Sequence, residues 1–231
     1  MRRTTASACL AVALLLSIPS TALAQQSLNL YLGGFAPRGE DSRVDGDVLV
    51  NNLSFFDFDI EGFDTFTFGG EWLVALGRVS EVGIGIGYSS DEEASRYSDL
   101  VNDQNGENIR QDLKLRIIPI WATYRFLPLG RNTAVQPYIG GGAGILVYRY
   151  TETGEFVDFS GNIFRDRFEA SGASAGPVIL GGLRVSLGAW DVGGEVRWQK
   201  GEGDVDPDDF AGATKVDLGG FNYLVTFNIR F

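Results

Sequence analysis

Histidine is absent from this 231-residue chain, and cysteine occurs once. Without imidazole the chain lacks the commonest general base and the commonest metal ligand. A serine with no base beside it is inert as a nucleophile, so hydrolysis of the serine–histidine kind is excluded. Cys9 stands inside an N-terminal apolar stretch, which leaves the remainder without any disulfide to hold it. Long hydrophobic runs are missing too. No stretch approaches the about 20 apolar residues that a membrane-crossing helix needs. Basic charge is scarce: 19 Lys and Arg against 30 Asp and Glu give a net charge of −11. That balance is wrong for neutralising a phosphate backbone, so nucleic acid is not expected as a partner. No residue pattern asks for a cofactor or a metal.

What is present begins with a leader. In "MRRTTASACLAVALLLSIPSTALAQQ", Arg2 and Arg3 precede a short apolar core from Leu10 to Ile18, and Ala22-Leu23-Ala24 forms an A-x-A site. The pattern predicts a signal peptide over 1–24, cleaved before Gln25, and one domain over 25–231.

The rest of the chain alternates with a period of two. In the terminal "FNYLVTFNIRF", Phe221, Tyr223, Val225, Phe227, Ile229 and Phe231 share one phase, and Asn222, Thr226, Asn228 and Arg230 lie in the other. Such alternation marks strands with one apolar and one mostly polar face. Eight segments read this way: about 27–35, 64–76, 79–89, 112–126, 135–150, 171–187, 190–200 and 216–231. In the fourth, "QDLKLRIIPIWATYRF", Leu113, Leu115 and Ile117 stand in one phase and Ile118, Ile120, Tyr124 and Phe126 in the other. Since Pro119 cannot donate to a ladder, a β-bulge at Ile117–Pro119 is the expected remedy. The glycine-rich fifth segment has no clear polar side.

Connections alternate between long and short. The long ones cover 36–63, 90–111, 151–170 and 201–215 and hold most of the acids, whereas the intervening turns are brief. This is the order of an up-and-down antiparallel meander elaborated at one end only. It predicts four long acidic loops at one end and three short turns at the other. In the first long loop, Phe55, Phe56, Phe58 and Phe63 are candidates to line the mouth of a site for a small apolar ligand; a small core belonging to an extended strand pair is the other reading. In "GDVDPDDF", Asp204, Asp206 and Asp208 resemble the opening of a calcium loop, but Asp209 occupies the place of the required glycine and no closing Glu follows.

Two barrels fit such alternation. A lipocalin-like barrel turns its apolar face inward. Here the other phase is rich in glycine and small residues with isolated charges, which suits a crowded lumen. The aromatic-rich phase then faces lipid. An unpaired charge in such a lumen costs several kcal/mol, on the order of a buried ion stripped of its partner. Glu71, Glu81, Arg125, Arg184, Glu195 and Arg197 are therefore expected to pair in some combination.

On the leader, the eight segments, "IIPIWATYRF", "VQPYIGGGAGILVY" and above all "LVTFNIRF", the chain resembles the OmpA-like and OmpW-like small outer-membrane β-barrels. The resemblance implies an eight-stranded antiparallel all-β transmembrane barrel in the outer membrane, in contact with lipid and lipopolysaccharide, with its four long acidic loops extracellular and its three short turns periplasmic. It also implies that Tyr223, Phe227, Ile229 and Phe231 form the signal read by the outer-membrane assembly machinery. An eight-stranded lumen is just wide enough for side chains or one small ligand. The expected role is structural or surface-interacting, without catalysis, in a monomer. The alternative is an OmpW-like narrow channel for small, apolar solutes.

Overall fold

Alternate residues of every long strand point to opposite sides of one closed sheet. The computed structural model describes residues 25–231 except 103–105 and 159; the leader expected over 1–24, with Cys9, lies outside the described residues. The barrel strands are β1 (Gln26–Pro37), β2 (Thr65–Ala75), β3 (Ser80–Val101), β4 (Asn108–Phe126), β5 (Val135–Val157), β6 (Ile163–Ser186), β7 (Trp190–Gln199) and β8 (Gly220–Arg230). Each pairs antiparallel with its sequence neighbours, and β1 pairs with β8 from Ser27↔Arg230 to Pro37↔Gly220. The last strand is thus fully hydrogen-bonded on both sides, and the barrel leaves no loose edge.

The outward phase is apolar around the whole circumference. Phe66 is 61 % exposed, Ile84 64 %, Ile139 62 % and Val225 59 %. Trp72 meets Phe231, and Trp190 meets Phe227, edge-on on this outer surface. Soluble monomers rarely expose a contiguous apolar patch of more than a few hundred Å². Among the described residues no helix is long and apolar enough to cross a membrane.

Three tight connections lie at one end with both sheet termini. Gly77 and Gly188 reverse the chain there with positive φ, where a side chain would be strained. At the other end the strands run much further than the sequence pattern indicates. The segments 90–111 and 151–170, expected as long loops, are mostly strand, and the β3–β4 and β5–β6 hairpins turn only around 102–107 and 158–162. Two long excursions remain, over 38–64 and 200–219. Polar residues on both faces made these strand ends resemble loops, since only one-sided burial writes a period of two into hydropathy.

The bulge expected at Ile117–Pro119 is also absent. Pairing with β5 runs without a break through Ile117↔Tyr148, Ile118↔Val147 and Pro119↔Leu146. Leu113, Leu115 and Ile117 simply point inward, because the interior at this end is apolar. The irregularity in the β3–β4 pairing lies instead between Arg96 and Val101 of β3. Glycines of β5 make room within the barrel. Gly144 stands directly across from Trp121, and a Cβ on it would come within 2.3 Å of the indole and 2.2 Å of the Ile120 carbonyl.

Candidate functional site

The interior is filled in two storeys. The lower storey, towards the tight turns, holds the buried charges. Glu71 of β2 accepts from Arg125 and from the Thr123 hydroxyl, both on β4. Arg125 also donates to Glu195 Oε2 of β7 at 2.9 Å. Glu195 Oε1 accepts from Arg197 Nη2 at 2.6 Å, and Arg197 lies 3.5 Å from Glu71. Nearer the turns, Glu81 of β3 receives Arg131 Nε on one oxygen and Arg184 Nη2 on the other, both at 2.9 Å. All the side chains of this network are nearly or fully buried, none more than 9 % exposed.

Tyr138 ties the two groups together. Its hydroxyl donates to Glu195 Oε2 at 3.0 Å, and the guanidinium carbons of Arg125 and Arg184 both lie over its ring, 5.2 and 5.1 Å from its centre. Arg197 stacks similarly over Tyr31, at 5.0 Å. Such cation–π contacts strengthen when desolvated. The six charges singled out from sequence therefore occupy one linked assembly. Arg131, Tyr138, Tyr31 and Thr123 were missed. Arg131 comes from the 127–134 turn, which carries no periodicity, and Tyr31 and Tyr138 sit at the lower end of strands, where their inward neighbours are small or polar, such as Asn29, Gly33, Gln136 and Gly140.

The upper storey is a plug. The excursion after β1 folds back into the barrel as a short helix, α1 (Val48–Asn52), and a 3-10 turn at Ile60–Phe63. Val48, Leu49, Ile60 and Phe63 pack with Val205, Phe210, Val216 and Leu218 of the excursion after β7, against inward residues of β4 and β5 such as Leu113, Ile117, Leu146 and Tyr150. Burying each of these side chains is worth about 1.5–3 kcal/mol. A cavity of about 10 Å³ lies beside Phe35, Phe63, Leu115 and Ile117, room for about one water. The expected ligand mouth is accordingly different in the structure. Phe63 and Phe56 are buried and Phe58 packs against the core, which leaves Phe55 alone exposed, at 45 %.

A second buried charge cluster rivets the plug. Asp47 caps α1, accepting from the Leu49 and Val50 amides. It also takes both Arg43 Nε at 2.7 Å and Nη2 at 3.1 Å. Arg43 donates onward to the Asp217 carbonyl, and the Asp217 carboxylate accepts from Arg38 Nη1 and the Val44 amide, each at 3.0 Å. An Asp before an apolar run is a readable cap signal, and "DVLVNN" carries it. Below, Asn52 Nδ2 donates to Glu152 Oε1 at 2.6 Å and the Tyr150 hydroxyl does so at 2.9 Å. Burial raises the Glu152 pKa, and these two hydrogen bonds pull against it.

Of the acids in "GDVDPDDF", Asp204 holds Lys215 at 2.6 Å, and Asp206 accepts from the Asp208 amide.

A closed eight-stranded antiparallel meander with an apolar exterior and charges in its lumen is the architecture of the small outer-membrane β-barrels. The outer membrane protein OprG of Pseudomonas aeruginosa has this fold: over 90 % of this chain and 96 % of that one the TM-score is 0.52, at 14 % sequence identity. Ail, the attachment invasion locus protein of Yersinia pestis, aligns over 90 % and 99 % with a TM-score of 0.45 at 10 % identity. Neisserial surface protein A aligns over 90 % and 97 % with a TM-score of 0.44 at 13 %. In sequence, no protein-family model and no curated protein matches the chain.

Proposed function

We propose that the chain is an integral outer-membrane protein that acts through its closed barrel and its surface, not as a conduit. After removal of the leader over 1–24, residues 25–231 insert as a monomer with the apolar phase in lipid. The acidic, strand-extended end and the two folded excursions stand outside the cell. Tyr223, Phe227, Ile229 and Phe231 serve as the assembly signal before they become part of the lipid-facing wall. The role is structural or surface-interacting and needs no catalysis.

The observation that carries this reading is the filled lumen. The carboxylates and guanidinium groups that meet across it are buried at the 0–9 % level, and a packed apolar plug lies directly above them. A solute would have to separate pairs whose rupture costs about 3–5 kcal/mol each. Planar-bilayer recording of the refolded protein tests the reading. A silent bilayer, with insertion verified by the gel shift of unboiled protein, is the expected result. A steady single-channel conductance would reverse it in favour of a narrow channel.

A further inference from the structure

On the outer wall of β3–β6, one row marks the end of the apolar belt. Ile118 stands across from Val147, and Val147 from Ala173. The next outward row is Ser90, Arg116, Arg149 and Ser171. Two strand residues separate these rows, which is about 7 Å along a strand. Arg116 and Arg149 are direct cross-strand partners. Like charges placed opposite one another in a ladder repel, so this pair weakens the sheet as it stands.

The two arginines open onto a surface cavity of about 350 Å³, with Lys114 and Arg167 on the same rim and Thr151 and Thr153 among its lining. Two acids, Glu92 and Asp112, line the same cavity. Glu92 holds Lys114 at 2.8 Å, and Glu169 lies 3.1 Å from Arg149 and 2.8 Å from Arg167. Among the described residues Arg116 has no ion-pair partner, and Arg149 Nε makes no hydrogen bond. With Glu92, Asp112 and Glu169 counted against Lys114, Arg116, Arg149 and Arg167, this wall carries one net positive charge on a chain whose net charge is −11.

We infer that Arg116 and Arg149 bind a phosphate of an outer-leaflet glycolipid headgroup. The inference rests on the membrane orientation proposed above, which puts this row at headgroup depth. A phosphate between the two guanidinium groups replaces their repulsion with charge-assisted hydrogen bonds, which are short and directional for arginine. Lys114 and Arg167 add charge, and the threonine hydroxyls are donors for sugar or phosphate oxygens. A lipid is favoured over a free anion because Ile118 and Val147, directly below, give acyl chains an adjoining apolar wall.

The test uses full-length refolded protein, wild type and Arg116→Gln/Arg149→Gln, with Arg165→Gln on the outer hairpin as control. Folding and insertion are read first from the unboiled gel shift and from flotation with phosphatidylcholine vesicles; a wild type that does not insert removes the membrane reading itself. Binding is then measured with lipid A in mixed micelles, with lipid A stripped of its phosphates, and with inorganic phosphate. Wild type and the control should bind lipid A roughly tenfold or more tightly than the double variant, and that difference should vanish for the stripped lipid. Lipid A should also raise the melting temperature of wild type and not that of the double variant. Equal binding of lipid A by inserted wild type and double variant would overturn the inference. Inorganic phosphate binding as tightly as lipid A would overturn the lipid assignment.

Discussion

The amide of Asp217 donates to the Asp47 carboxylate at 2.5 Å, across 170 residues of chain. One side chain thereby caps α1, neutralises Arg43 and fastens the second excursion to the first. Asp47→Ala removes all three and leaves Arg43 buried without its partner, at a cost of about 3–5 kcal/mol. The barrel strands do not depend on this contact. The expected phenotype is a refolded protein that still shifts on an unboiled gel but is cut by protease within 38–64, where wild type resists. Asp47→Asn, which retains a capping oxygen, should fall between the two.

Among the described residues, Glu81 is the one carboxylate paired with both Arg131 and Arg184. Glu81→Gln should lower the urea midpoint of the refolded barrel by an amount equivalent to about 3–5 kcal/mol. Adding Arg184→Met should recover part of that loss, since it removes one of the stranded charges. A double variant destabilised by the full sum of its singles would mean that Glu81 and Arg184 are not coupled.

Gly144 is required by its neighbours, not by its own backbone angles. Gly144→Ala places a methyl group against both the Trp121 ring and the Ile120 carbonyl. Refolding yield should fall sharply. Trp121→Ala should not restore it fully, because the carbonyl clash remains.

These positions also show what was legible in the sequence. The eight strands, the closure and the outward phase could be read from residues such as Phe66, Phe68 and Trp72, since lipid on one side imposes strict alternation. The charges on Glu71, Glu81 and Arg125 stood out because they interrupt a small-residue phase. Leu113, Leu115 and Ile117 misled, because the plug makes the interior apolar above Pro119, and period two cannot tell a greasy inside from a greasy outside. The strand ends around Asp91–Arg96 and Thr151–Arg167 were hidden for the opposite reason: water lies on the outer face and polar residues occupy both. Nothing local in "LPLGRNTA" announces that Arg131 reaches into the lumen.

Glu152 makes the plug sensitive to pH. Its folded-state pKa is raised by burial above the ordinary glutamate value of 4.5. The folded state therefore binds more protons than the unfolded state between those two values, and stability falls as pH rises through that window. The contribution is fully present below the ordinary value and lost once pH passes the raised one. Hydrogen exchange at the α1 amides, compared with Glu152→Gln at each pH, should show wild type losing protection relative to the variant as pH rises. A constant ratio across the range would mean that Glu152 does not titrate with the plug.

The direction in which the tryptophans face is the most direct check on the whole account. Trp72 and Trp190 are outward and exposed, whereas Trp121 is 1 % exposed inside the barrel. Single-tryptophan variants, refolded into vesicles containing brominated lipid, separate the two positions by fluorescence quenching. Strong quenching of Trp72 and Trp190 with Trp121 spared is the expected result. A quenched Trp121 beside a shielded Trp72 would contradict the account.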